Sequence, residues 1–355
     1  MSYDAVLVVS FGGPEGPDDV MPFLENVTRG RNVPRERLEV VAEQYERFGG
    51  VSPINGLNRT LVERLERELA NHGIDLPVYW GNRNWAPYLT DTVRQMADEG
   101  VGRALAFVTS AYSSYSGCRQ YLDEIAAACA EVGPGAPEIH KIRQFWNHPG
   151  FIEPFRDRLR DALGEMVARG VVDQSSTRLV FTAHSLPTSM ADTSDYVDQL
   201  LDAVALVADD VAPDLARALV WQSRSGPPQV PWLEPDINDH LRSLAADGVR
   251  QVVVVPIGFV SDHQEVVFDL DTQAAATAAE VGIQMRRVPT PDSDPRFIAM
   301  VRELVEERSS AAPVRTLGDL GVRPAPCRVG CCPPASRAPA VHAKIGTRPV
   351  PDPTS

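Results

Sequence analysis

Six short runs of apolar and β-branched residues recur along the chain, each followed by an amphipathic stretch: "DAVLVVSFG", "LPVYWGN", "ALAFVTSAY", "RLVFTAHS", "ALVWQSRSG" and "QVVVVPIGF". Runs this uniformly apolar read as strands buried on both faces. Their alternation with helical patterns argues for parallel sheets covered by helices. "RTLVERLERELANHG" is one such helical pattern, with apolar residues three and four apart and Gly73 placed to close it as a C-cap.

The two halves echo one another. "VLVVSFGGP" is matched by "LVFTAHSLP", each a strand ending in a small turn and a proline. "ALAFVTSAYSSYS" is matched by "QVVVVPIGFVSDH", each a strand entering a polar loop before a helix. The expected fold class is α/β: two similar Rossmann-like domains, residues 1–150 and 151–308, with a cleft between them. From about Ser309 the texture turns rich in proline and alanine without hydrophobic period. Residues 309–355 therefore read as a tail, largely disordered beyond Pro334.

With 355 residues and 43% hydrophobic content, the chain can build one large unit or two of ordinary domain size. A formal net charge of −14 repels phosphate backbones and acidic lipid, which excludes nucleic acid as a partner class. The opening "MSYDAVLVVSFGG" has an acid where a signal peptide carries bases, and no apolar run is long enough to span a bilayer. A cytoplasmic protein is expected. Its five cysteines then read as thiols or metal ligands rather than a disulfide framework.

Each parallel strand delivers its succeeding loop to the carboxyl edge of the sheet, where ligands bind in open α/β folds. His184 directly follows an apolar strand. "VSDHQEVVFDLD" follows another and holds Asp262, His263, Glu265, Asp269 and Asp271. If a helix starts near Asp262, then Asp262, Glu265 and Asp269 share one face at i, i+3, i+7. Crowded carboxylates suit a divalent cation with oxygen and imidazole ligands, or proton transfer. The plainer reading makes Asp262 an N-cap, with Glu265 completing a capping box on a solvated helix face. A third region gathers arginines and hydroxyls: Arg29 and Arg31 in "VTRGRNVP", Ser52, Asn58 and Arg59 in "FGGVSPINGLNRT", and "AYSSYSGCRQY". Such groups suit carboxylates of an anionic ligand; arginines on an ordinary surface are the alternative.

Five stretches in order, "SFGGPEGPDDVMPFLENVTRGR", "FGGVSPINGLNRT", "FTAHSLP", "WQSRSGPPQVPWLEPD" and "VPIGFVSDHQEVVFDLD", resemble the ferrochelatase family, and within it the coproporphyrin ferrochelatases of actinobacteria. The resemblance covers residues 4–305. It implies two four-stranded Rossmann-like domains around a porphyrin cleft, and insertion of Fe(II) as substrate with no organic cofactor. It makes His184 the metal ligand and proton acceptor, and Glu265 its acidic partner across the cleft, with His263 and Asp269 on the metal and proton path. Ser52 and Tyr121 match positions that contact coproporphyrin, and Arg29 and Arg31 are placed near its propionates. Phe11 stands where some relatives carry a tyrosine that ligates the product's iron, so that axial oxygen is absent here.

Insertion requires a bent macrocycle, acceptance of two N–H protons and stepwise loss of water from the metal. A neutral imidazole can accept near pH 7, and carboxylates exchange readily with water around Fe(II). "CRVGCC" brings Cys327, Cys331 and Cys332 together, and several ferrochelatases of this kind hold a [2Fe–2S] cluster on three tail cysteines and one from the body. Here the fourth ligand is Cys118 or Cys129; the alternative is a tail without a cluster. A protoporphyrin IX ferrochelatase and a non-catalytic porphyrin or haem carrier are the competing functions. The reaction also calls for a transient iron donor and an acceptor for coproheme, and the sequence identifies neither.

Overall fold

A computed structural model describes residues 2–30, 33–168, 175–328 and 330–335. Among these, eight strands form two four-stranded parallel sheets. The first contains β1 (Ala5–Ser10), β2 (Val78–Asn82), β3 (Arg103–Val108) and β4 (Glu138–Lys141) in the order β2-β1-β3-β4. The second contains β5 (Thr177–His184), β6 (Arg217–Gln222), β7 (Gln251–Val255) and β8 (Gln284–Arg287) in the order β6-β5-β7-β8. The two orders are the same topology, so the internal echo of the sequence is a structural repeat.

The six apolar runs are the six inner or long strands. β4 and β8 have no counterpart among those runs, because "EIHK" and "QMRR" are short, polar edge strands that bury too little to leave an apolar signal. The connecting helices are α1 (Pro17–Val27), α2 (Arg35–Glu46), α3 (Ile54–Asn71), α4 (Leu89–Asp98), α5 (Gln120–Val132), α6 (Pro149–Ala168), α7 (Thr188–Ala191), α8 (Tyr196–Val211), α9 (Ile237–Ala246), α10 (Gln264–Val266), α11 (Ala275–Val281) and α12 (Pro295–Ser309). α3 closes one residue earlier than expected, with His72 as C-cap and Gly73 following at φ +71°.

The repeat extends to an uncommon feature. After β3 and after β7 the chain enters a π-helical segment, π1 (Tyr115–Arg119) and π2 (Val267–Ala274). In each, the wider turn changes which side chains share a face. The largest hydrophobic cluster runs through both halves, joining Val6, Phe107 and Leu65 to Phe181, Val253 and Phe297. Tyr112 reaches from one half to donate to the Ile257 carbonyl of the other at 2.8 Å. α1 and α2 pack on one another around their own small cluster of Val20, Phe23, Leu24, Leu38 and Ala42.

Residues 310–328, the described start of the tail, carry no helix or strand and lie against the body of the protein. They are held by buried and half-buried side chains that bond to their backbone, which needs no side-chain pattern. Asn147 donates to the Gly321 carbonyl at 2.8 Å, Arg143 to the Arg315 carbonyl at 3.0 Å and Arg308 to the Ala325 carbonyl at 3.0 Å. The expectation for the chain beyond Pro334 falls, apart from Ala335, outside the described residues. No helix among the described residues is long and apolar enough to cross a membrane.

Candidate active site

In each sheet the strand order reverses between the first and third strands, which opens a crevice at their carboxyl ends. In the second sheet that crevice lies between β5 and β7. His184 is the last residue of β5, paired in register with Gln222 of β6. Glu265 lies in α10, reached from β7 by a short loop. Their side chains meet: His184 Nε2 is 3.4 Å from Glu265 Oε1, with 32% and 43% of the two side chains still exposed. This corrects the expectation of an acid facing His184 across a cleft. No macrocycle can lie between groups in contact, so the pair presents itself as one unit on one wall.

The ring is oriented from behind. His184 Nδ1 donates to the Ser185 carbonyl, so Nε2 faces Glu265. Tyr196 donates to the His184 carbonyl at 2.9 Å. Burial alone would pull the imidazole down, but the neighbouring Glu265 carboxylate more than reverses this and pushes His184 up to about 9. Glu265 is itself disfavoured by burial and held below the usual carboxylate range by the His184 charge. Left to themselves at neutral pH, the two are imidazolium and carboxylate.

The acidic track is only partly as read. The N-cap residue is His263, not Asp262, and its side chain caps nothing. Asp262 is drawn away to Arg287 Nη1 at 2.9 Å and to the Thr290 N–H at 3.2 Å. Asp271 is taken by the same guanidinium at 2.6 Å. Asp269, four residues on from Glu265, stays beside it, and burial together with the Glu265 charge pushes its carboxyl up to about 7. His263 packs edge-on to Phe259 at 5.5 Å, and burial pulls it below the usual histidine value.

The residues of the first half lie around a second centre. Phe11 follows β1, 37% exposed, with its ring edge against Phe23 at 6.2 Å. Ser52 is buried at the turn behind it. Gly13 is obligatory there, because an added Cβ would sit 2.6 Å from Ser52 Cβ. At Gly50, with φ +75°, an added Cβ would likewise sit 2.5 Å from Pro17 Cα. Tyr121 is buried beneath the Arg83 guanidinium, 4.4 Å from its ring centroid, so the structure does not bring it to the open surface. Arg29 is exposed just beyond α1, and among the described residues no hydrogen bond or ion pair engages its side chain. Arg31 lies outside the described residues.

Sequence reasoning missed three residues that matter here. Tyr45 of α2 is close enough to Glu265 to feel its charge, which with burial raises the phenol. It also stacks edge-on against Phe23 at 6.0 Å, which links Glu265 to the Phe11 end. Arg83 is bidentate to Glu124 and lies 5.6 Å over Phe11 as well as over Tyr121. Ser223 donates to Asp269. A recess of about 710 Å³ beside α8, lined by Asp202, Asp209, Asp210 and Asp319, shares none of these residues.

The cysteines separate cleanly. Cys118 lies buried in π1, hydrogen-bonded to Cys327, with Lys141 and Gln144 beside it; these neighbours pull the thiol down to about 6 against its burial. Cys331 is close to Cys327 and to Cys332, and Cys332 is pushed up to about 12 by burial and the nearby Cys118 and Cys331. Cys129 is not among them; it donates to the Pro137 carbonyl at 3.7 Å. Among the described residues no three His, Cys, Asp or Glu side chains converge tightly enough to hold a single metal ion. A cluster of two irons and two sulfides is wider than one ion, so four neighbouring thiols, Cys118 and Cys332 buried and Cys327 and Cys331 partly exposed, beside an ammonium fit its donor chemistry.

Two doubly wound sheets with an imidazole–carboxylate pair at a switch point form the framework of this chain, and its match to the ferrochelatase model makes it a metal chelatase. Among solved structures the fold is like that of SirB from Bacillus subtilis with Fe3+ (TM-score 0.52, 12% identity, covering 87% of this chain and 98% of that one). The ferrochelatase family model matches residues 3–309, so the chain belongs to the ferrochelatase family, whose substrates are a porphyrin and ferrous iron. Relatives named coproporphyrin III ferrochelatase include those of Streptomyces coelicolor (52% identical, 95% of both chains), Frankia alni (55%, 95% of this chain and 88% of that one) and Mycolicibacterium smegmatis (51%, 93% and 99%).

Proposed function

We propose that this chain inserts ferrous iron into coproporphyrin III to give coproheme, and that His184 and Glu265 carry the reaction. The observation that carries the reading is their contact at the β5–β7 switch point, with Asp269 behind. Ferrous iron engaging Glu265 removes the charge that holds the imidazolium proton, so that proton leaves to solvent and His184 becomes neutral. His184 then takes one pyrrole proton and Asp269, titrating near neutrality, takes the second. Two protons leave the macrocycle as one dication enters. Ser52, Arg29 and Arg31 bind the porphyrin edge, with Phe11 packing against its face and Tyr121 supporting Arg83 from beneath; binding the remote carboxylates supplies energy for ring distortion. His263 lines the same path.

Coproporphyrin rather than protoporphyrin IX is supported by the names of relatives at 51–55% identity. In parallel anaerobic assays with Fe(II), coproporphyrin III is expected to be metallated with a kcat/KM at least about tenfold above protoporphyrin IX. Equal or reversed preference overturns the substrate. The setting is cytoplasmic, with a transient iron donor and a coproheme acceptor as passing partners.

The same reading gives Cys118, Cys327, Cys331 and Cys332 to a [2Fe–2S] cluster. Such a cluster supplies one-electron chemistry, and no step of insertion runs through it. Protein purified without oxygen is expected to show visible thiolate-to-iron absorption, lost in Cys118→Ser and kept in Cys129→Ser. Identical spectra for the two variants contradict this assignment.

A further inference from the structure

One residue beside the pair has an unusual backbone. β6 ends at Gln222, and the next residue, Ser223, adopts φ +63°, a left-handed conformation that disfavours any residue with a Cβ. Serine stands there although glycine would relieve the strain. What glycine lacks is the hydroxyl, and this conformation aims the hydroxyl at the site. It donates to Asp269 Oδ2 and lies near the Glu265 carboxylate, which it helps to hold down. The preceding side chain holds the same oxygen, with Gln222 Nε2 3.2 Å from Asp269 Oδ2. Both bonds fall on one oxygen, and among the described residues no hydrogen bond engages Oδ1. Asp269 is thus clamped with one oxygen committed and the other left open.

The clamp is tied to the strand that bears the histidine. His184 pairs in register with Gln222, and the Ser185 N–H donates to the Gln222 carbonyl at 2.8 Å. His184, Ser223, Asp269 and Glu265 are therefore fixed to one another through β5, β6 and the start of π2.

We propose that Ser223 is a positioning residue for metal insertion: its hydroxyl, aimed by the left-handed backbone, sets the separation and orientation of the Glu265 and Asp269 carboxylates beside His184. The inference rests on the reading of that pair as the insertion site.

Two substitutions separate hydroxyl from backbone. Ser223→Ala removes the hydroxyl and keeps the strain; Ser223→Gly removes both. Each is measured for kcat, for KM toward Fe(II) and porphyrin separately, for porphyrin affinity by fluorescence and for Tm. Both variants are expected to lose about 10- to 100-fold in kcat/KM for Fe(II), with porphyrin affinity unchanged and the glycine variant melting no lower than the alanine one. In an Asp269→Asn background, Ser223→Ala is expected to cost little more, because the partner is already gone. A glycine variant with wild-type kinetics, or the same loss from Ser223→Ala in both backgrounds, overturns the proposal. A wild-type protein that binds porphyrin and never metallates it fails the functional reading instead, and the inference falls with it.

Discussion

Replacing His184 by alanine is expected to lower kcat for iron insertion by about 10³-fold, about 4 kcal/mol of barrier, while leaving the affinity for coproporphyrin within about threefold. The split follows from geometry. His184 meets Glu265 through Nε2 at the end of β5, whereas the residues assigned to the porphyrin edge stand on the first half. Removing the ring takes away a proton acceptor and leaves the carboxylate-binding groups in place. Stopped-flow insertion and fluorescence quenching on the same preparation check both arms. A variant that loses affinity and turnover together would mean that His184 is a binding residue.

The second large effect is expected at Glu265→Gln, with kcat down about 10²-fold and the His184 titration moved from about 9 toward the ordinary histidine value of 6.5, read by NMR of the ring. The sign for stability can be worked out. A histidine raised in the folded state stabilises fully below 6.5 and loses that contribution as pH climbs through about 9. A glutamate lowered in the folded state stabilises above its ordinary 4.5 and loses that contribution as pH falls through its lower folded value. The Tm advantage of the wild type over Glu265→Gln should therefore be greatest between about pH 4.5 and 6.5 and vanish above about 9. Both side chains are partly exposed, so added salt should shrink it. An advantage that grows above pH 9 would contradict the ion pair.

The legible parts of this fold are those that bury the most. β1, β3, β5 and β7 are the inner strands, and their β-branched runs announce themselves because both faces of each sheet are covered. β4 and β8 stay silent, since an edge strand that must repel further pairing carries Lys141, Arg286 and Arg287 instead of valines. The π-helical turns are unreadable for another reason: "EVVFDLD" has the spacing of an α-helix, and only its packing selects the wider turn. Asp262 leaves the track because the helix begins after it, with His263 as N-cap, and Arg287 draws it away. In the site, His184 and Glu265 were found because strand ends in a parallel sheet face the ligand crevice. Their contact was not found, since it depends on how α10 settles over β5. Ser223 could not be found either. Its signal is a left-handed φ at a residue that is not glycine, and that is invisible in "WQSRSG".

The most direct test is a structure of the protein with metal-free coproporphyrin III bound. The macrocycle is expected to sit with its central nitrogens facing His184 Nε2 and Glu265 together, on one side of the ring. A macrocycle that separates these two side chains, or that sits on another face of the protein, contradicts their assignment as one metal-inserting pair.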